Sequence, residues 1–500
     1  MTDSAIYVGG ERLPGAALAA RGEQVAAGLA GLGVQEGDVI AVLLRNGLPY
    51  LEIIQACKRL GCYYCPINWH FTAAEVAFLI EDSGARLLIA DTDLWLPLRD
   101  ALPAGLPLLQ AGPGAAQAGH ADYDAWRDSQ QAYDGPRVAP RGHMAYTSGT
   151  TGRPKGVVRA PFPLEHLERR LAQVEAVVEA AYGLRPGCRA LLPAPIYHSA
   201  PSVFAQVALR VCATFVLTDR FDPVEVLRLI EAHRIDTVYL VPIMYVRLLK
   251  LDAATRAAHD LSSLRFVAST GAPCAPEIKR AMIEWLGPVI HETYASSEAG
   301  MVTVIDSAEA LERPGSAGRP IGGAQVRIYA EDGSPCAAGQ VGRIHVRQPA
   351  YADFTYRNNP QARADVDKDG LIGLGDLGYL DEDGYLYVCD RESDLVISGG
   401  VNIYPAEIEH QLMQYPGVAD CAVFGVPDAE YGERLMALAL PAAGVSLEPA
   451  QLIQWLAQRI ARYKVPRELQ VRAELPRDDN GKIAKRRLRA EFWAGRQRKV

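Results

Sequence analysis

The chain is poor in the features that mark membrane, secreted or nucleic-acid-binding proteins. It has no stretch of ~18 apolar residues, the length a helix needs to cross a bilayer, and the apolar run at Leu171–Tyr182 is broken by Glu175 and Glu179. The opening Met-Thr-Asp-Ser has no basic segment followed by an apolar one, so no secretory leader is expected and the expected location is cytoplasmic. Cysteine is sparse: nine residues, an odd number without framework spacing. The one close pair, Cys62-Tyr63-Tyr64-Cys65, lacks a second ligand pair for zinc or a redox environment and reads as two small buried hydrophobes. Positive charge is in deficit. With 51 Lys and Arg against 59 Asp and Glu the net charge is −8, which argues against nucleic acid as a partner, because that needs clustered cations facing phosphate.

What is present is core material. At 49% hydrophobic and 22% charged, 500 residues exclude a disordered chain, a collagen-like repeat and a disulfide-stapled miniprotein. Residues 17 to 241 alternate helix-period and strand-like segments. Helices are expected at Ala17–Leu32, Tyr50–Leu60, Ala73–Asp82, Leu164–Tyr182, Ser202–Leu209 and Val224–His233. Strands are expected at Asp38–Leu44, Tyr63–Asn68, Ala85–Ala90, Arg189–Leu192, Thr214–Leu217 and Thr237–Val241. Such alternation implies βαβ units and parallel sheets. Residues 111–121, rich in Gly and Ala, read as a loop. From about 315 to 390 the texture becomes short strands (Gln325–Tyr329, Val341–Arg347, Tyr385–Cys389) around Asp332-Gly333 and Asp383-Gly384, dipeptides suited to tight hairpins.

A third texture follows. Leu395–Ser398 and Val401–Tyr404 flank Gly399-Gly400, and Pro405 opens a helix over Ala406–Gln414. Strands at Val418–Val426, Leu435–Pro441 and Glu468–Ala473 and helices at Pro449–Arg462 and Ile483–Phe492 complete a compact α+β unit. The fold class is therefore α/β: a large N-terminal domain, 1–392, of parallel-sheet subdomains with a small β unit, then a mobile α+β domain, 393–500.

The segment Tyr146-Thr147-Ser148-Gly149-Thr150-Thr151-Gly152-Arg153-Pro154-Lys155-Gly156 carries the strongest chemical signal. Glycines let backbone N–H groups approach an anion, Ser and Thr hydroxyls donate to phosphate oxygens, and Lys155 adds charge. It is not a Walker A loop, since Gly156 rather than Ser or Thr follows the lysine. The segment resembles the phosphate loop of the AMP-forming adenylating superfamily of acyl-CoA synthetases, peptide-synthetase adenylation domains and beetle luciferases. Other motifs of that family follow in order across almost the whole chain: Tyr294-Ala295-Ser296-Ser297-Glu298, Asp376 after Gly375, Arg391 before Ser393-Asp394, and Gly481-Lys482.

The resemblance implies ATP, Mg²⁺ and CoA as ligands and assigns roles by position. Thr147, Ser148, Gly149, Thr150, Thr151, Gly152 and Lys155 would hold phosphate. Gly271, Ala272, Pro273, Glu292, Thr293 and Tyr294 would border adenine. Ser297, a Thr in most of the family, would donate to the α-phosphate. Glu298 would ligate the metal, a hard cation that favours carboxylate and phosphate oxygens. Asp376 would accept the ribose hydroxyls, with Val388 and Arg391 nearby. Ser393 stands at the hinge position, where the family has Asp or Lys, and Gly399 and Gly400 would line the passage for the thiol. Lys482 is the expected catalytic cation of adenylation: as a carboxylate attacks the α-phosphorus, a positioned ammonium stabilises charge that grows toward the transition state.

The basic run Lys485, Arg486, Arg487, Arg489 reads as a solvated helix face. His198 resembles the gate between acyl pocket and thiol passage. Tyr197–Phe204 contains no carboxylate to pair with an ammonium, which disfavours amino-acid substrates, since an unpartnered buried charge is costly. The expected pocket residues (His198, Val203, Phe204, Val241, Met244, Thr270, Ala295, Met301) are mostly apolar and include no Lys or Arg for a diacid. The expectation is an acyl-CoA synthetase for a hydrophobic monocarboxylic acid, with a homodimer as a candidate assembly. Alternatives are an aryl or alicyclic acid ligase, an acyl-AMP ligase that loads a carrier-protein phosphopantetheine, and a silent adenylate-binding scaffold, against which the five retained polar residues Lys155, Glu298, Asp376, Arg391 and Lys482 speak.

Overall fold

A computed structural model describes residues 4–112, 121–147, 154–398, 401–428, 430–477 and 483–494. They form two compact units, Met1–Gln325 with Val346–Ile372 and Val326–His345 with Gly373–Val500. No helix among the described residues is long and apolar enough to cross a membrane.

The first unit is built on two parallel sheets. In the larger, nine strands lie in the order Arg319–Pro320, Gly300–Ile305, Ile290–Ser296, Phe266–Ser269, Thr237–Leu240, Arg189–Leu192, Thr214–Leu217, Ala5–Val8 and Glu11–Pro14. The six strands from Ile290–Ser296 to Ala5–Val8 run parallel; the outer ones turn back antiparallel. A second sheet orders Tyr63–Pro66, Val39–Leu43, Ala85–Asp91, Leu108–Ala111 and Ala121–Asp122, all parallel. Val39–Leu43 shows why its sequence is uninterruptedly apolar. Ile40 and Val42 enter one buried cluster while Val39, Ala41 and Leu43 enter another, so both faces of the strand are covered.

The α/β alternation expected from the sequence is present, with element ends shifted by a few residues. The helix expected from Ser202 begins at Ser199, and the one expected to reach Arg462 stops at Ala457. Several strands were not among those expected, among them Ala5–Val8 and Glu11–Pro14 at the far edge of the larger sheet. These two form a hairpin whose first strand pairs with Thr214–Leu217, a partner some two hundred positions away that no local pattern announces. Cys62 and Cys65 are free and buried as expected, and burial pushes the Cys65 thiol up to about 12.

The second unit contains most of a sheet that runs Gln325–Tyr329, Gly342–Arg347, Leu371–Leu380, with Leu386–Arg391 pairing onto Leu371–Leu380. Its other sheet orders Val401–Ile403, Val396–Ser398, Gly432–Pro441 and Val418–Asp428, and Glu468–Val471 joins Gly432–Pro441 in parallel. Period-two alternation builds two cores on it. Val423, Leu435 and Ala437 face the helices Pro405–Met413 and Pro449–Ala457, while Phe424, Met436 and Leu438 face the helix Lys485–Trp493 through Leu488 and Phe492.

That last helix corrects the sequence reading of its basic run. Arg486 and Arg487 are exposed, but Lys485 pairs with Glu409 at 2.8 Å and Arg489 with Asp394 at 2.7 Å. A helix face is set by what packs against it, and these two cations meet carboxylates supplied from distant sequence.

Candidate active site

The expected phosphate-loop segment is flanked by strands of a three-stranded antiparallel sheet. Ala145–Thr147 pairs with Lys155–Arg159, Tyr146 opposite Gly156 and Thr147 opposite Lys155, and Phe354–Tyr356 adds to the other side of Lys155–Arg159. Gly156 has a steric reason to be glycine: a Cβ there would come within 2.9 Å of the Tyr146 ring, whose hydroxyl donates to Asp82 at 2.7 Å. Ser148, Gly149, Thr150, Thr151 and Gly152 lie outside the described residues. Their two flanks are held as a hairpin.

Four side chains converge beside that hairpin. Thr147 Oγ1 and the Tyr356 hydroxyl each donate to Glu298 Oε1 at 3.1 Å. Lys155 Nζ stands 5.2 Å from the centre of the Tyr356 ring. Glu298 itself is buried. Burial and the adjacent carboxylate push the Tyr356 hydroxyl up, so it remains a donor. Among the described residues no Lys or Arg reaches ion-pair distance of Glu298, and no group of three His, Cys, Asp or Glu could by itself hold a metal. A buried carboxylate with oxygen neighbours, and with no Lys or Arg among the described residues at ion-pair distance, fits a hard divalent ion that draws its other ligands from phosphate and water.

The main chain around Glu298 is fixed by a residue the sequence reading missed. Arg159 donates to Ser297 O at 2.9 Å, to Glu298 O at 2.5 Å and to Ala352 O at 2.6 Å. Period-two spacing put Arg159 on the same strand face as Lys155, a signal that was available but does not reveal its partners. Gly300, just past Glu298, has φ +77°, and a Cβ there would meet the Tyr351 ring at 2.5 Å. The turn therefore needs glycine both for its backbone and for space. Tyr356 was also missed; it joins the site through strand pairing across some two hundred residues, which leaves no local signature.

The expected adenine-side residues divide. Tyr294 is half-buried on the strand Ile290–Ser296, at a bulge between Tyr294 and Ala295. Glu292 and Thr293 have partners inside the protein: Glu292 pairs with Lys279 at 3.0 Å, and Thr293 Oγ1 donates to Ala181 O while its carbonyl accepts from Thr270. Gly271, Ala272 and Pro273 follow the strand Phe266–Ser269, Gly271 at φ +89°. Of the expected acyl-pocket residues, Phe204, Met244, Thr270 and Met301 are buried and Val203, Val241 and Ala295 partly so. Phe204 makes ring contacts with Tyr182 and Tyr239, centroids 6.0 and 5.6 Å away.

His198 sits immediately before the helix Ser199–Val211, its ring 4.3 Å from that of Tyr197. The next residue, Ser199, meets His143, unanticipated by the sequence. Its Nε2 shares a 2.8 Å hydrogen bond with Ser199 Oγ and its Nδ1 one of 3.3 Å with Gln206 Nε2. Burial, helped by the Arg159 charge, lowers its pKa to about 4, although a sliver of the residue stays exposed, so the imidazole is neutral at physiological pH.

In the second unit, Asp376 lies opposite Arg391 in the pair Leu371–Leu380 and Leu386–Arg391, with Arg391 Nε 3.2 Å from the buried Asp376 Oδ1. Asp376 is thus a strand residue. Val388 faces Gly378 across the same ladder. Ser393 stands between two anchors: Arg391 is tied to Asp376 on one side, and on the other Arg489 donates to Ser393 O at 2.8 Å and to Asp394 at 2.7 Å. Val396–Ser398 and Val401–Ile403 pair antiparallel with Ser398 opposite Val401. Gly399 and Gly400 between them, and Gly481 and Lys482, lie outside the described residues.

Known proteins resemble this chain along nearly its whole length. Residues 2–353 match the family model "AMP-binding enzyme" and residues 407–482 the model "AMP-binding enzyme C-terminal domain". A feruloyl-CoA synthase of an Amycolatopsis species is 36% identical over 496 residues, covering 98% of this chain and 96% of the relative. A fatty acid–[acyl-carrier-protein] ligase, ScoC of Streptomyces coeruleorubidus, is 32% identical over 509 residues, covering 100% and 95%. Among solved structures, the amide bond synthetase McbA from Marinactinospora thermotolerans aligns with a TM-score of 0.87 at 28% identity, covering 98% of this chain and 97% of that one.

Proposed function

The chain belongs to the AMP-binding enzyme family and is an AMP-forming acid–thiol ligase; from that premise we propose that it joins a hydrophobic, preferentially aromatic monocarboxylic acid to CoA at the expense of ATP. The observation that carries the reading is the convergence of Thr147, Lys155, Tyr356 and Glu298 at the hairpin flanking the phosphate loop.

The chemistry divides between two half-reactions. In the first, a substrate carboxylate oxygen attacks the α-phosphorus of ATP and pyrophosphate departs, giving the acyl-adenylate. Lys155 and the loop hydroxyls hold the phosphates, and Lys482 supplies the charge that matters most in the transition state. Glu298 is the residue that would hold Mg²⁺, which when bound neutralises phosphate charge. Thr147 and Tyr356 keep that carboxylate oriented by donating to one oxygen and leave Oε2 available. In the second, the CoA thiol attacks the acyl carbon, the C–O bond to AMP breaks, and the thioester and AMP are released. This step needs Lys482 withdrawn and the Gly399-Gly400 passage presented. Rotation at Ser393 is the proposed means, supported by an anchor at Arg391 just before it and another that holds its own carbonyl and Asp394.

An aromatic acid is supported by the identity to the feruloyl-CoA synthase and by the buried rings of Phe204, Tyr182 and Tyr239 beside the expected pocket residues. A second reading, transfer to a carrier-protein phosphopantetheine, is favoured only by the similarity to ScoC. A panel of aromatic, fatty and amino acids, assayed for pyrophosphate release with CoA or with a holo-carrier protein, tests both choices. Hydroxycinnamate-like acids with CoA should give the highest kcat/KM. Preference for long-chain fatty acids, or for the carrier, would overturn the respective half of the proposal.

A further inference from the structure

The helix Ser199–Val211 begins directly after His198 and is otherwise an apolar element: Phe204, Ala205, Val207 and Ala208 are buried on it. Yet it carries Ser199, Ser202 and Gln206 at spacings of three and seven, one face of a helix. All three are engaged by one short stretch of backbone pairing. Ser202 Oγ lies 2.7 Å from the Tyr64 hydroxyl, Ser199 Oγ 2.8 Å from His143 Nε2, and Gln206 Nε2 3.3 Å from His143 Nδ1. Tyr64 and His143 are themselves bridged across parallel backbone, with Met144 N donating to Tyr64 O at 2.8 Å. His143 is separated only by Met144 from the strand Ala145–Thr147, which leads into the phosphate loop and whose Thr147 donates to Glu298.

The hydrogen-bond roles follow from the partners. A Gln amide nitrogen is a donor only, so Nδ1 accepts, and a neutral imidazole then carries its proton on Nε2 and donates it to Ser199 Oγ. Both ring nitrogens are used, and the ring cannot turn over without losing both bonds. A purely apolar seat would tolerate small rotations and slides of this helix, because burial has no direction. Three side-chain hydrogen bonds on one face fix its rotation and its height, since each would leave a poorly solvated polar group unpaired if broken.

We propose that His143 is a positioning residue of the ligation reaction: it fastens the first turn of the helix Ser199–Val211, and with it His198, to the strand that enters the phosphate loop, so that the acyl side of the site is set from the nucleotide side. The proposal rests on the function assigned above. It gives Ser199 and Gln206 a role that neither phosphate binding nor acyl packing supplies, and it makes the path from Thr147 through Met144 and His143 to Ser199 the local link between ATP and acid sites.

The test uses the full chain with His143→Leu, His143→Gln, Ser199→Ala and the double variant His143→Leu/Ser199→Ala. Acid-dependent pyrophosphate exchange gives KM for ATP and for the acid. Single-turnover reaction of supplied acyl-AMP with CoA isolates the second step, and hydrogen–deuterium exchange across 196–206 reads the helix start without activity. His143→Leu is expected to raise KM for the acid or slow the thiol step about tenfold while KM for ATP moves less than about twofold. The amides of 202–206, the first that the helix hydrogen-bonds, should exchange faster while those of the neighbouring strand Arg189–Leu192 stay unchanged. His143→Gln, which keeps a donor, should recover most of the loss. Ser199→Ala should reproduce it, and the double variant should be no worse than His143→Leu alone, the signature of a shared interaction.

Unchanged exchange over 202–206 in His143→Leu overturns the inference whether or not the protein is active. So does a parallel fall of every kinetic constant with the thermal midpoint, failure of His143→Gln to rescue, or an additive double variant. Absence of acid-dependent exchange in the wild-type chain counts instead against the ligase reading, and the deuterium readout then decides the inference alone.

Discussion

Glu298 shows how much a single side chain depends on its neighbours. Its Oε1 is already occupied by Thr147 and Tyr356, so Glu298→Gln retains an acceptor for both donors and removes only the negative charge. The fold should survive with a thermal midpoint close to wild type, while adenylate formation falls about 100-fold, the scale on which loss of one transition-state electrostatic group is felt. A variant that keeps wild-type pyrophosphate exchange would remove Glu298 from the chemistry. Lys482→Ala should behave differently: adenylation nearly lost, thiolation of supplied acyl-AMP largely kept. Equal loss in both steps would contradict the division of labour. At this scale the sequence was informative where residues of one chemical type cluster, as with the hydroxyls, glycines and lysine from Thr147 to Gly156. It was silent on Arg159, His143 and Tyr356, which act through contacts made by folding. It also gave no sign of the internal partners of the Glu292 and Thr293 side chains, Lys279 and Ala181 O.

Elements were legible where hydrophobic periodicity is self-contained. The strands Arg189–Leu192 and Thr214–Leu217 and the amphipathic helices between sheets follow from local pattern, because each must cover a sheet face wherever it lies. The hairpin Ala5–Val8 and Glu11–Pro14 did not, since its pairing with Thr214–Leu217 is a property of the assembled sheet. The helix Lys485–Trp493 was seen but its buried cations were not, for Glu409 and Asp394 are brought to it only by tertiary structure. The turn at Gly300 offers a test of element geometry. Gly300→Ala meets a backbone penalty of about 1–2 kcal/mol for left-handed φ and, in addition, the ring of Tyr351. Gly10, with φ +86° and open space around it, meets only the first. Thermal denaturation should therefore rank Gly300→Ala well below Gly10→Ala. Equal midpoints would mean that the Tyr351 contact gives way without cost.

Across the whole molecule, the proposal requires the chain to change state at Ser393. Ser393→Pro fixes φ there near −65°, so whichever arrangement it favours, one half-reaction should be retained while the other falls by tenfold or more, on the order of 1.4 kcal/mol of barrier. Equal effects on both would argue against a hinge at this position. Asp390 lies just before it and accepts from Ala406 N at 3.0 Å, beyond it in the chain. Burial raises its pKa from 3.8 to about 6, with Lys485 opposing. An acid that binds its proton more tightly when folded contributes stability that is complete below 3.8 and lost as pH rises through about 6. Asp390→Asn keeps an oxygen acceptor and does not titrate, so its thermal midpoint relative to wild type should climb between pH 4 and 6 and level off above. A difference that stays flat over that range would place Asp390 at an ordinary carboxylate pKa.

The most direct measurement is exchange of labelled pyrophosphate into ATP by the purified full-length protein. Exchange should appear when an aromatic monocarboxylic acid is added, be negligible without acid, and collapse in both Glu298→Gln and Lys482→Ala. Exchange absent with every carboxylate offered, or undiminished in those two variants, would contradict the account.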